Sequence, residues 1–237
     1  MWQFESEVSQ VVKQTPEIKT FRFPIHAKGV RYLPGQFFFL TIKVGHKDAI
    51  HHFSFSSSPT EKGYIEFTKR ITGSDFSQTL AAMKPGTWAR LRGPVGFFTL
   101  PRKHRRLAFL SGGIGITPLR SMLRYIADKG LAYDIVMLYD NKSYEDIPFR
   151  EELDEITASY PSLRLENVLS GPDLPAGWKG KTGLISGDML REVIPDYEER
   201  RFYLSGPPRM VINLESQILG LGIPQKQVMR DSFTGYD

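Results

Sequence analysis

Along the first hundred residues apolar and polar positions alternate in short runs, the period of half-buried strands. Trp2 to Lys13, Ile18 to Ile25, Gln36 to Val44, Ala49 to Ser56, Gly63 to Ile71 and Thr87 to Leu91 each fit a strand. Gly29, Pro34-Gly35 and Gly93-Pro94-Val95-Gly96 punctuate them. Ser77 to Met83, closed by Lys84-Pro85-Gly86, is a short helix candidate. About six short strands at close spacing with one helix predict a small antiparallel β-barrel.

From about residue 105 the rhythm changes to strands alternating with helices, which predicts an α/β domain, a parallel sheet with helices on both faces. The expected strands are Leu107–Leu110, Tyr133–Tyr139, Leu163–Leu169, Arg201–Leu204 and Val228–Asp231. The expected helices are Pro118–Lys129, Phe149–Ser159, Gly187–Val193 and Arg209–Leu221, with a Gly/Pro-rich loop from Gly171 to Gly183. Pro101-Arg102-Lys103 marks the expected boundary, giving a β-barrel over 1–103 and an α/β domain over 104–237.

The stretch from Leu107 to Tyr125 is the most informative. An apolar strand runs into Gly112, Gly113 and Gly115, then Thr117-Pro118, then Leu119, Met122, Leu123 and Ile126 at helical spacing. Strand, glycine turn and helix start form an anion site, because unpaired amides and the helix dipole face one point. Glycines there let the backbone approach a pyrophosphate. The spacing Gly113-x-Gly115-x-x-Pro118 departs from the usual dinucleotide pattern by a proline in the third glycine's place. In such sheets ligands bind at the carboxyl ends of strands, where Gly112–Thr117 and Ser205–Pro208 both lie.

Composition adds exclusions. There is no cysteine, so disulfides, cysteine-ligated zinc and iron–sulfur clusters held by this chain are out. The five histidines (26, 46, 51, 52, 104) show no metal-ligand spacing, and no metal is expected. No apolar run reaches membrane-span length. The N-terminal residues lack signal-peptide character, so a cytoplasmic protein is expected. The net charge of +5 is uneven: residues 1–103 carry 15 Lys/Arg against 7 Asp/Glu, and the remainder 16 against 19. The basic half suits phosphate-bearing ligands or an acidic protein partner; no nucleic-acid signature accompanies it.

With these motifs in this order, nearly the whole chain resembles the ferredoxin–NADP reductase-like flavoprotein family. The likeness rests on His51-His52-Phe53-Ser54 for an Arg-x-Tyr-Ser flavin motif, Gly73-Ser74-Asp75-Phe76-Ser77 for a flavin-phosphate turn, and Gly93-Pro94-Val95-Gly96-Phe97-Phe98. It continues with Gly112–Pro118, with Ser205-Gly206-Pro207-Pro208 for Cys-Gly-Pro-Pro, and with an acidic-x-aromatic tail, Asp231-Ser232-Phe233.

The resemblance implies bound FAD (FMN less so), with NAD(P)H as co-substrate. It places His51, Phe53, Ser54, Thr68, Lys69, Arg70, Phe76 and Ser77 at the flavin. Phe53 offers a flat apolar face, Ser54 a hydrogen bond near the redox nitrogen, Lys69 and Arg70 charge for phosphate, and the Phe76 and Ser77 amides further donors. Ser77 also suits a helix N-cap, and Phe53 a barrel core position. The nicotinamide nucleotide falls to Gly112, Gly113, Gly115, Pro118, Asn141, Lys142, Gly206 and Pro207, and Thr117 stands where the family brings this turn against the flavin edge. Ser54, Ser205 and Asp231 surround hydride transfer, and Phe233 covers the flavin or gates the nicotinamide. Two departures stand out: histidine at 51 loses arginine's permanent charge and fork, and serine at 205 replaces a thiol. Asp140 favours NADH through ribose hydroxyls, Lys142 favours NADPH through a 2′-phosphate, and the sequence leaves both open.

The implied activity is hydride transfer from NAD(P)H to FAD, with electrons passed to an external acceptor such as an acidic ferredoxin-type iron–sulfur protein. The alternatives are a flavin or ferric reductase with flavin as substrate, and a non-catalytic flavin- or nucleotide-binding regulatory module.

Overall fold

The computed structural model describes residues 1–233. The chain divides into two compact units, residues 1–100 with 117–128, and residues 101–116 with those from 129 onward. The first holds β1 (Trp2–Glu7), β2 (Gln10–Lys13), β3 (Ile18–Pro24), β4 (Phe37–Val44), β5 (Lys47–Ser54), β6 (Tyr64–Arg70), α1 (Asp75–Ala81) and β7 (Trp88–Val95). Pairing is antiparallel throughout, in a four-stranded sheet β1-β7-β4-β5 and a three-stranded sheet β2-β3-β6.

The run expected as one strand, Trp2 to Lys13, is two strands in different sheets. The inward series Phe4, Ser6, Val8 ends where the Val8 N–H still donates to Thr87 O, while the Ser9 N–H donates to Arg22 O at 2.9 Å. Beyond β5, the Ser56 N–H donates to Glu66 O, also at 2.9 Å. The sheets are thus joined at both margins around one aromatic core. Phe21, Phe23, Phe38, Phe55 and Phe67 are fully buried in it, with Phe21 stacked on Phe67 at 5.0 Å. Each such side chain stabilises the fold by about 1.5–3 kcal/mol. The short helix starts earlier than expected, at Asp75, because the Ser74 hydroxyl accepts the Ser77 N–H and caps it.

The second unit holds β8 (Arg106–Gly112), followed in the chain by α2 (Ile116–Lys129) of the first unit. After it come β9 (Asp134–Asn141), α3 (Arg150–Ser159), β10 (Leu163–Leu169), β11 (Lys181–Thr182), α4 (Gly187–Val193), β12 (Arg201–Gly206), α5 (Pro208–Gly220) and β13 (Val228–Ser232). The six strands are all parallel, in the order β11-β10-β9-β8-β12-β13. Ala108, Leu110, Val136, Leu138, Phe202 and Leu204 pack with Leu190, Val211, Leu214 and Ile218 from α4 and α5. The strand β11 lies inside the stretch expected as pure loop; its two residues carry too little pattern to announce a strand.

The apolar positions of α2 follow the sequence spacing: Leu119, Met122, Leu123 and Ile126 are all buried. Residues 117–128 belong to the first unit, where Met122 packs on Gly35. Gly35 has φ +89°, and a Cβ there would lie 2.1 Å from Phe98 O and 2.3 Å from Met122 Cε. Only glycine satisfies both conditions.

Candidate functional site

In the first unit, His51 and Phe53 share one side of β5, with His52 and Ser54 on the other. The His51 ring lies 4.0 Å from that of Phe76 in α1, and Phe53 stacks on Phe67 at 4.3 Å. Ser54 is half-buried at the strand's end, opposite Phe37. Partial burial, then the charges of Lys69 and His52, hold the His51 pKa below its ordinary value. The imidazole is therefore neutral near neutral pH and does not replace the charge of an arginine.

Lys69, whose charge acts on His51, is a buried cation of this unit. It is 8% exposed, and burial lowers its ammonium pKa. Removed from water, an ammonium is favoured by a neighbouring anion such as a phosphate. Three other residues expected at the flavin have side-chain partners within the protein. Arg70 is committed to an ion pair with Glu17. The Thr68 hydroxyl lies inside the barrel, bonded to those of Thr20 at 2.7 Å and Ser56 at 3.0 Å. Ser77 is not the helix cap: it is fully buried, and its hydroxyl accepts the Thr72 N–H at 2.7 Å, which folds the turn before α1. A partly exposed aromatic at 53, a buried cation at 69 and a capped turn at 74–77 fit a flavin with its phosphates.

In the second unit the register aligns Asn167, Tyr139, Ser111, Ser205 and Asp231 in one row across five strands, near their carboxyl ends. Ser205 and Asp231, both expected at the reaction centre, are thus direct neighbours. Ser111 and Ser205 are fully buried, and among the described residues their hydroxyls have no hydrogen-bond partner. One residue further along β9, Asp140 is 9% exposed with Oδ1 in the same condition, and next to it both amide atoms of buried Asn141 are too. Burial raises the Asp140 pKa to about 6. Each buried polar group without a partner costs about 1–3 kcal/mol, so a cluster of them marks where a polar ligand completes the bonding. Their position is the one where open parallel sheets bind nucleotides, and they fit a nicotinamide nucleotide. Lys142 is exposed beside them. The Phe233 N–H donates to Gly206 O at 3.0 Å, which brings the tail to the Ser205–Pro208 turn.

The glycine turn folds as a single 3₁₀ turn, Gly113–Gly115, with Gly113 at φ +51°. The Tyr139 hydroxyl donates to Gly113 O at 2.8 Å. A Cβ on Gly115 would stand 2.2 Å from Ser205 O, and one on Gly112 2.2 Å from Met210 Sδ. At Gly115 the facing atom is backbone, so the protein's own packing requires glycine there, whereas at Gly112 it is the flexible end of the Met210 side chain. Thr117 and Pro118 lie buried in the first turn of α2.

An antiparallel flavin-motif unit and a parallel sheet with a polar carboxyl edge define a two-domain, dinucleotide-dependent oxidoreductase. Residues 5–100 match the Oxidoreductase FAD-binding domain and residues 109–215 the Oxidoreductase NAD-binding domain. The chain belongs to the ferredoxin–NADP reductase-like family of FAD- and NAD(P)-binding oxidoreductases.

It is 28% identical to the glycine betaine monooxygenase reductase subunit of Pseudomonas aeruginosa, covering 94% of this chain and 62% of that protein. It is 28% identical to NADH-cytochrome b5 reductase 1 of Laccaria bicolor, covering 94% and 73%. A ferredoxin NADP+ reductase from Neisseria gonorrhoeae, with bound FAD and NADP, shares the fold at a TM-score of 0.82 and 22% identity, covering 97% and 98%. The chain spans less than two thirds of the betaine monooxygenase reductase subunit.

Sequence reasoning missed Ser111, Tyr139, Arg120 and Ser121. Ser111 carried a signal, a hydroxyl abutting a fully apolar strand. Tyr139 stands in the sequence only as the end of an expected strand. Arg120 and Ser121 sit off the apolar stripe of α2, yet they are 6% and 0% exposed. Among the described residues no cluster of His, Cys, Asp or Glu could hold a metal, and no helix is long and apolar enough to cross a membrane.

Proposed function

We propose that this chain is an NAD(P)H-dependent flavoprotein reductase that passes electrons from bound FAD to an external acceptor, an acidic ferredoxin-type iron–sulfur protein. The buried polar atoms of Ser111, Asp140, Asn141 and Ser205 that have no hydrogen-bond partner among the described residues carry the reading, because they call for a polar ligand where this family binds its nicotinamide nucleotide. The nicotinamide supplies a hydride and the flavin accepts it, releasing electrons singly or in pairs. The chain's work is alignment. Ser54 offers a hydroxyl beside the flavin motif, Lys69 a charge for phosphate, and Ser205 with Asp231 a hydroxyl and a carboxylate for the nicotinamide. Relatives named as reductases of an oxygenase and of cytochrome b5 support an external acceptor. The excess of basic residues over 1–103 supports an acidic one.

The test is anaerobic mixing of purified protein with NADH and, separately, NADPH, following the flavin's visible absorption, with mass spectrometry of the released cofactor. Bleaching of bound FAD by either nucleotide supports the reading. A colourless protein that reduces only added flavin favours the flavin-reductase alternative, which the neutral His51 suits. Bound flavin that stays oxidised rules out the enzyme.

A further inference from the structure

The first turn of α2 carries Thr117 and Pro118, which end the Gly112–Pro118 motif that the family resemblance gives to the nicotinamide nucleotide. One turn further on, two buried polar side chains reach the segment that follows the flavin motif. The Arg120 guanidinium donates to Ser56 O at 2.8 Å and, as a fork, to both Glu61 oxygens at 2.5 and 3.1 Å. The Ser121 hydroxyl donates to Ser57 O at 2.7 Å. Glu61 in turn accepts the Ser58 N–H at 2.6 Å and the Tyr64 hydroxyl at 2.9 Å. The carbonyls two and three residues past Ser54 are thus held by side chains of α2.

Four apolar residues already seat the helix, and a buried ion pair is a weak way to add stability. What a bidentate fork adds is orientation. We propose that Arg120 and Ser121 are positioning residues that tie the flavin motif to the start of α2, so that nicotinamide nucleotide held at Gly112–Pro118 tightens flavin binding at Ser54–Ser58. This rests on the function proposed above. Coupling of this kind is reciprocal, each ligand raising the affinity of the other by the same factor.

The experiment is equilibrium titration of FAD, read by flavin fluorescence, with and without saturating NAD+ or NADP+, so that no turnover occurs. Wild-type protein should bind FAD at least about fivefold more tightly with the oxidised nucleotide present. Ser121→Ala and Arg120→Lys should each bind both ligands singly, keep a cooperative melt and lose most of that factor. Amide exchange over residues 55–58 should slow on nucleotide addition in the wild type and not in Ser121→Ala. Should Arg120→Lys fail to fold, Ser121→Ala decides alone. Coupling unchanged in Ser121→Ala, or absent from wild type that binds both ligands, overturns the inference. Wild type unable to bind FAD at all overturns the reductase reading instead.

Discussion

Ser205 shows how a residue can cost stability in one state and serve in another. Its buried hydroxyl has no partner among the described residues, so Ser205→Ala removes a desolvated group at little loss of packing. The ligand-free variant should melt at or above the wild-type temperature while its flavin is reduced more slowly by NAD(P)H, by tenfold or roughly 1.4 kcal/mol. A lower melting temperature with unchanged stopped-flow rates would place the site elsewhere. Asp140 makes a second case, with a sign set by pH. Burial lifts its carboxyl from 3.8 to about 6 in the fold, so the folded chain binds more protons than the unfolded one between those values. Stability therefore falls as pH rises through that window, and the loss is complete above it. Asp140→Asn should match wild type below the window and be more stable above it, by no more than about 3 kcal/mol. Denaturant melts on either side of the window measure the crossover.

Among the elements, the glycine turn between β8 and α2 makes the sharpest prediction. Gly115→Ala drives a methyl to 2.2 Å from a backbone oxygen that cannot swing aside, Ser205 O. It should lower stability by about 1–3 kcal/mol or more, measured with no nucleotide present. Loss of nucleotide affinity alone, without loss of stability, would favour a phosphate role for that glycine over packing. Much at this scale was legible: alternation marked the strands, and the 107–126 stretch gave strand, turn and helix in order. Periodicity could not show that Trp2–Lys13 bends between two sheets, because the inward series Phe4, Ser6, Val8 breaks only through a change of hydrogen-bond partner at Ser9. Nor could it show what faces Gly112 and Gly115. Their neighbours, Met210 and Ser205, lie far away in sequence. At the site, the motif residues were readable, but the partners of Arg70, Thr68 and Ser77 come from other strands and turns, so their engagement was not.

For the molecule as a whole, charge sets the next prediction. With Lys and Arg concentrated over 1–103, reduction of an acidic iron–sulfur protein should slow steeply as salt rises, while reduction of the flavin by NAD(P)H changes little. Stopped-flow rates at low and high ionic strength separate the two, and equal slopes would argue against an acidic acceptor. The assignment of residues 117–128 to the first unit reaches further. A cut after Lys103 would deliver a barrel stripped of the helix that fills the space above Gly35. The halves are therefore not interchangeable cassettes at that point. Any recombination that joins this barrel to a foreign nucleotide sheet inherits the newcomer's version of α2, and must reproduce its grip on Ser56, Ser57 and Glu61 to hold that segment as before.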